Sequence, residues 1–383
     1  MLPLKGRHLF TLRFLWHANA ARLPYRFLIA DGQVHPQLAA ILENSRETFP
    51  NLDIEYVRYS DDVDFSHFHR KLADAFGRVR TPYAMLADND DFLAFGGLER
   101  SLDFLDRSPD YVCCGGGLAG FSVYSGVDDI DHGLRGRLNR FSYRYTPFDQ
   151  SADYGSESVV ERLRQGSRNW WSYYAVFRIE GLRTIWRDVV DIDFSDLQLY
   201  EFFCAMRTLT LGKAHSDASS IAYFRQYGTS LRSAFRADWV HHLLRSNFTG
   251  DFNALIDRIS KIAASTDHGS EERIAEMLRG ICEPWLRDFL RANYGEVQGL
   301  KQLLRRRAPA FVNWALKRRR LSARRERSVL ISRLAKDGAS GSYLKRIDKE
   351  IDLIDEVLTG PRFRDFIEPF RACLGSEVLK AAD

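Results

Sequence analysis

Asp88, Asn89, Asp90 and Asp91 place three carboxylates and an amide directly behind the apolar run Tyr83-Ala84-Met85-Leu86-Ala87, with Phe92 and Leu93 closing the far side. A short apolar run of this kind reads as a buried strand. Acids at its C-terminal end would stand where open α/β sheets hold their ligands, outside the carboxyl ends of the strands. Oxygen-only donors suit a hard divalent cation, Mg²⁺ or Mn²⁺, and not zinc. Asp and Asn are also common turn formers, so the same tetrad could serve a turn and nothing more.

Several elements must position that cluster. His8 to Ala20 carries Leu9, Leu12, Phe14, Leu15 and Trp16 at roughly helical spacing. Tyr25 to Ala30 reads as a strand running into Asp31-Gly32, a second acid at a strand's carboxyl end. Pro36 to Arg46 reads as a helix with proline in its first turn, and Asp53 to Tyr59 as a strand. Phe65, Phe68, Leu72, Phe76 and Val79 recur at helical spacing on one apolar face, and Thr81-Pro82 ends that helix. His67 and His69 lie two apart on it, point to different faces, and read as surface or packing residues. This βαβα order predicts an α/β fold with a mostly parallel, doubly wound sheet.

The chain has 383 residues, enough for two domains, with 45% hydrophobic and 28% charged residues, an ordinary globular composition. A net charge of +4 is too small to argue for nucleic acid. Five scattered cysteines without a Cys-x-x-Cys pair argue for reduced thiols in a cytoplasmic setting, against zinc or a disulfide framework. No apolar run is long enough to span a bilayer, so membrane contact is expected to be peripheral.

Past the acids, Leu98 to Arg107 reads as a helix and Tyr111 to Gly117 as a strand whose three glycines allow a close approach or a bend. Leu118 to Tyr124 and Leu138 to Tyr145 read as an antiparallel hairpin with a polar tip. Ser158-Val159-Val160-Glu161 has capping-box spacing. The aromatic run Asn169-Trp170-Trp171-Ser172-Tyr173-Tyr174 suits either a sugar-stacking surface or a buried sheet edge.

Pro3-Leu4-Lys5-Gly6-Arg7, Ile29-Ala30-Asp31-Gly32 and Leu86-Ala87-Asp88-Asn89-Asp90-Asp91 occur in an order and spacing that resembles the GT-A glycosyltransferases of the large family-2 type. Lys71-Leu72-Ala73-Asp74-Ala75-Phe76 with Val79-x-Thr81-Pro82-Tyr83 is similar to a bacterial branch of that family. The resemblance covers about the first 230 residues and implies a GT-A-like nucleotide-binding domain that moves a sugar from a nucleotide-sugar to an acceptor hydroxyl. It implies donor binding through Pro3, Arg7, Asp31, Lys71 and Asp88. Asp31 would accept from the base's imide N–H, and Lys71 or Arg7 would neutralise phosphate. Asp88, Asp90 and Asp91 would hold Mn²⁺ or Mg²⁺. Trp170, Trp171, Tyr173 and Tyr174 would face the acceptor. A base heading a helix about eleven positions before a glycine matches Glu201, with Gly212 closing the helix, and Asp196 is its competitor or the helix N-cap. Burial against the following apolar run would raise the Glu201 pKa, as a base needs. A base opposite the leaving group implies single displacement with inversion.

Beyond about Arg232 helical periodicity takes over, so residues 1–232 are expected to form the catalytic domain and 233–383 a helical region. Residues 301–327 hold eleven Lys/Arg and one acid with Phe311, Trp314, Leu316 and Leu321 interleaved. They read either as a basic amphipathic helix on the anionic inner face of a membrane, suited to a lipid-linked or glycan acceptor, or as a solvated helix. No nucleic-acid motif accompanies the charge. Two other classes stay open: a nucleotidyltransferase-like enzyme, which would need a Gly-rich phosphate loop after the first strand, and a non-catalytic nucleotide-sugar-binding protein of the same fold. Only Met1 and Leu2 precede Pro3, which predicts a gap or a stub in place of a full first strand and a natural start upstream.

Overall fold

A computed structural model describes residues 1–124, 133–142, 152–166, 170–226, 247–294 and 323–374. The chain runs β1 (Leu2–Leu4), α1 (His8–Ala20), β2 (Arg26–Asp31), α2 (Pro36–Glu43), α3 (Ser45–Thr48), β3 (Asp53–Arg58) and α4 (Phe65–Arg78). It continues through β4 (Tyr83–Ala84), β5 (Phe92–Leu93), α5 (Phe95–Arg107), β6 (Tyr111–Tyr124), β7 (Arg137–Ser142), β8 (Ala152–Tyr154) and α6 (Val159–Gln165). A 3-10 turn at Trp170–Tyr174 leads to β9 (Val176–Arg178), α7 (Ile179–Ile192), α8 (Leu197–Leu211) and β10 (Lys213–Gln226). The helices α9 (Phe248–Asp267), α10 (Glu271–Tyr294), α11 (Ala323–Lys336), α12 (Gly341–Thr359) and α13 (Pro361–Leu374) follow.

The fold is α/β with a helical C-terminal region. The first sheet is parallel, in the order β1-β2-β3, with Leu4 beside Asp31 and Asp31 beside Arg58. The second has seven strands ordered β4-β9-β6-β10-β5, with β7 beside β6 and β8 beside β10. Within it only β6 and β10 run parallel; the other pairs are antiparallel. The hairpin expected after Gly117 is present, Gly120 facing Ser142 and Tyr124 facing Arg137.

The first strand exists as a three-residue stub paired to Ile29–Asp31. The Met1 amino group donates to the Met85 carbonyl at 2.8 Å, and the Ala87 N–H donates to the Met1 carbonyl at 3.0 Å. These bonds stitch the parallel sheet to the run that carries the acids. An apolar cleft of about 260 Å³ lies beside Met1, between Tyr25, Phe27 and Leu28 on one side and Tyr83, Ala84 and Met85 on the other.

The C-terminal helices divide between two cores. Ile347, Ile351, Ile354 and Leu358 on α12, with Phe363 and Ile367 on α13, join the core of Leu12, Leu15 and Ile29. Trp16 of α1 stacks on Phe366 with ring centroids 4.6 Å apart. Leu255, Ile256 and Ile259 on α9, with Leu278 on α10, instead join Trp186, Phe203 and Leu209 on the other flank. Cys113, Cys114, Cys204 and Cys282 are buried and unpaired.

Candidate active site

The first requirement is a turn that brings α1 to the acids. Gly6 and Arg7 both adopt left-handed backbone, at φ 66° and 57°, a conformation costly for a residue with a Cβ. The Arg7 carbonyl then accepts from the N–H groups of Phe10 and Thr11, opening α1. Asn89 donates its side-chain amide to that same carbonyl at 3.3 Å and to the Thr11 hydroxyl at 3.0 Å. The residue between the acids therefore fastens their loop to α1.

Asp88, Asp90 and Asp91 each offer a carboxylate oxygen, and these oxygens lie within 4.8 Å of one another. Every one has a counterpart. The Tyr174 hydroxyl donates to Asp88 at 2.6 Å. The Arg7 guanidinium donates to Asp90 at 2.8 Å, and the Gln226 N–H, at the end of β10, donates to Asp91 at 2.9 Å. Burial, followed by the neighbouring charge of Asp90, raises the Asp88 carboxyl and pushes that of Asp91 well above the ordinary carboxylate range. The Arg225 guanidinium opposes both shifts and lies 5.7 Å from the centre of the Tyr174 ring.

Arg13 holds this assembly from beneath. It is fully buried on α1, between the rings of Phe10 and Phe92 at 4.7 and 4.8 Å. It donates to the Asp90 carbonyl at 2.6 Å, to the Gln226 side-chain oxygen at 2.7 Å and to the Leu134 carbonyl at 3.1 Å. The loop of acids, the start of the hairpin's return strand and the end of β10 thus share one cation. Sequence reading passed over Arg13, although a charge inside the run Leu9-Phe10-Thr11-Leu12-Arg13-Phe14-Leu15 is itself a signal of a buried polar partner.

Asp31 ends β2 beside Leu4, on the same carboxyl edge. It is fully buried, accepting from the Tyr56 hydroxyl at 2.7 Å and the Gln33 N–H at 3.0 Å. Pro3 sits in β1 opposite Ala30. Lys71 points into the protein: its ammonium donates to the Leu4 carbonyl at 2.9 Å and pairs with Asp62, both side chains 1% exposed. Tyr56 and Asp62 carried no sequence signal.

The aromatic run divides. Trp171 is buried against Gly115 and stacks toward Tyr154 at 6.4 Å. Tyr173 packs among Tyr174, Trp186 and Tyr200. Among the described side chains of the run, only Tyr174 has a hydrogen bond to the acids; the side chain of Trp170 lies outside the described residues. On α8, Glu201 is half-buried; burial first, and the Glu201 charge among lesser causes, push the hydroxyls of Tyr173, Tyr174 and Tyr200 well above their ordinary range. Asp196 is spent as the N-cap of that helix, accepting from the Leu199 N–H at 3.1 Å, with its own N–H turned to Asp251.

Three all-oxygen ligands this close, two of them destabilised as anions by burial, fit a hard divalent cation, whose charge would offset their repulsion. Among the described residues no helix is long and apolar enough to cross a membrane. Of the basic interval, residues 301–322 lie outside the described residues. Arg327 at its end is bound to Asp348 and Asp352 of α12 at 2.6 Å each.

No protein-family model matches the chain, and no curated protein matches it. Among solved structures, S. aureus TarS 1–349 overlays at a TM-score of 0.44 with 10% identity, over 95% of this chain and 90% of that one. The same protein in complex with UDP-GlcNAc gives 0.42 and 12%, over 95% and 90%. Mannosyltransferase PcManGT from Pyrobaculum calidifontis, in complex with GDP-Man and Mn²⁺, gives 0.41 and 13%, over 84% of each chain.

Proposed function

We propose that this chain is a metal-dependent, inverting glycosyltransferase of the GT-A type, moving a sugar from a nucleotide-sugar to an acceptor hydroxyl. The observation that carries the reading is the triad Asp88, Asp90 and Asp91 at the carboxyl edge shared with Asp31. Asp31, fixed by Tyr56 and Gln33, would take the nucleobase, and Asp88 the ribose side. Asp90 and Asp91 would hold Mn²⁺ or Mg²⁺. A cation there supplies Lewis-acid stabilisation of a departing diphosphate. Glu201 would accept the proton of the acceptor hydroxyl as its oxygen bonds to the anomeric carbon and the bond from that carbon to the diphosphate breaks. Asp196 is engaged as a helix cap, which favours Glu201 for this task. The acceptor would be a glycan or a lipid-linked glycan, and contact of residues 301–327 with an anionic inner membrane face rests on composition alone.

The test is a panel of UDP- and GDP-sugars incubated with the full chain and Mn²⁺ or Mg²⁺, read by mass spectrometry. Metal-dependent release of nucleoside diphosphate from at least one donor is expected. Release of pyrophosphate instead would place the chain among nucleotidyltransferases.

A further inference from the structure

We infer that Arg7 is an exchangeable counter-ion, holding Asp90 until a divalent cation binds and then passing to the diphosphate of the donor. The inference rests on the metal-dependent reading above and adds to it an order of events and a residue that moves. Arg7 bonds the same Asp90 carboxylate that would ligate the metal, at 2.8 Å. A guanidinium and a divalent cation on the same carboxylate repel each other, so binding of one weakens the hold of the other.

Three features make Arg7 the cation that leaves. Arg13 is fully buried and bonds the main-chain oxygen of Asp90, so it is fixed in place. The Arg7 side chain is 25% exposed, against 7% for that of Asp90, and can swing outward without opening the core. Its backbone meanwhile is held: the carbonyl carries Phe10, Thr11 and Asn89, so motion is confined to side-chain torsions. A guanidinium freed at this point is a planar fork suited to two phosphate oxygens.

Mn²⁺ binding to the full chain without donor, followed by electron paramagnetic resonance, tests the exchange in wild type, Arg7→Gln and Arg7→Lys. Removing the competing charge should tighten Mn²⁺ on the order of fivefold in Arg7→Gln, the upper worth of a partly exposed ion pair. Arg7→Lys should stay near wild type. At saturating Mn²⁺, UDP and GDP should then bind Arg7→Gln about tenfold more weakly, because the phosphates lose their fork. Wild type that binds Mn²⁺ while Arg7→Gln binds it no tighter would overturn the exchange and leave the metal site standing. Unchanged nucleoside diphosphate affinity would overturn the transfer to phosphate. Absence of Mn²⁺ binding in every variant, with and without nucleotide, would overturn both this inference and the metal-dependent reading.

Discussion

Replacing Lys71 with Met should cost stability in a pH-dependent way that a surface lysine could not produce. The ammonium is 1% exposed and serves two acceptors, the Asp62 carboxylate and the Leu4 carbonyl. Burial raises the Asp62 pKa and lowers that of Lys71, so each is held ionised mainly by the other. Removing one partner of such a pair costs about 3–5 kcal/mol, roughly 4–6 °C in Tm for a protein of this size. The sign with pH follows from Asp62. Its folded pKa lies above the unfolded value, and loss of Lys71 lifts it further. Its protonated form thus favours the fold below the unfolded value of about 3.9, and that contribution disappears as pH rises through the folded pKa. The Lys71→Met deficit should therefore be largest near pH 7 and shrink toward pH 5, while Lys71→Met with Asp62→Leu should recover most of it, since an apolar pair can replace a buried ion pair. Thermal melting of the three proteins at both pH values measures this. A deficit under about 1 kcal/mol, the range of a solvated pair, or one that does not vary with pH, would refute the reasoning.

Glu201→Gln should lower turnover by about 10²- to 10⁴-fold, the range for loss of a general base. Asp196→Asn, which keeps the cap of α8, should leave Tm near wild type and turnover far less affected; steady-state assays of the two variants invert the assignment if Asp196→Asn is the damaging change. Gly115→Ala should destabilise by about 1–3 kcal/mol through overpacking, because its Cβ would stand 2.8 Å from the Trp171 ring. Combining it with Trp171→Leu should restore melting temperature; no recovery would place the strain elsewhere.

Local patterns foretold much of this fold. The helix expected over His8 to Ala20 has those bounds, and the one beginning at Phe65 ends at Arg78, a residue short of the last apolar position counted. Asp31 and the Asp88–Asp91 loop were legible because each lies just beyond an apolar segment, and the apolar-to-acidic change is contiguous in sequence. Ser158 opens α6 as its spacing implies, accepting from the Glu161 N–H. What escaped was polar and distant. Arg13 meets Asp90, Leu134 and Gln226 across 77, 121 and 213 positions, and no window of sequence joins them. The glycines after Cys114 read as a close approach to a ligand or, more simply, as a sharp bend. They instead lie within one continuous strand, β6, where the Trp171 ring and the backbone of β10 press too close for a Cβ. The helical region read as one block because periodicity does not say which core a helix joins.

The account depends most on the triad acting through a divalent cation. Calorimetric titration of UDP- and GDP-sugars into wild type and Asp90→Asn, each with Mn²⁺ and with chelator, addresses that directly. Binding of at least one nucleotide-sugar to wild type in Mn²⁺, lost with chelator and lost in Asp90→Asn at unchanged Tm, is the result predicted. Nucleotide-sugar binding that survives both chelator and Asp90→Asn would contradict it.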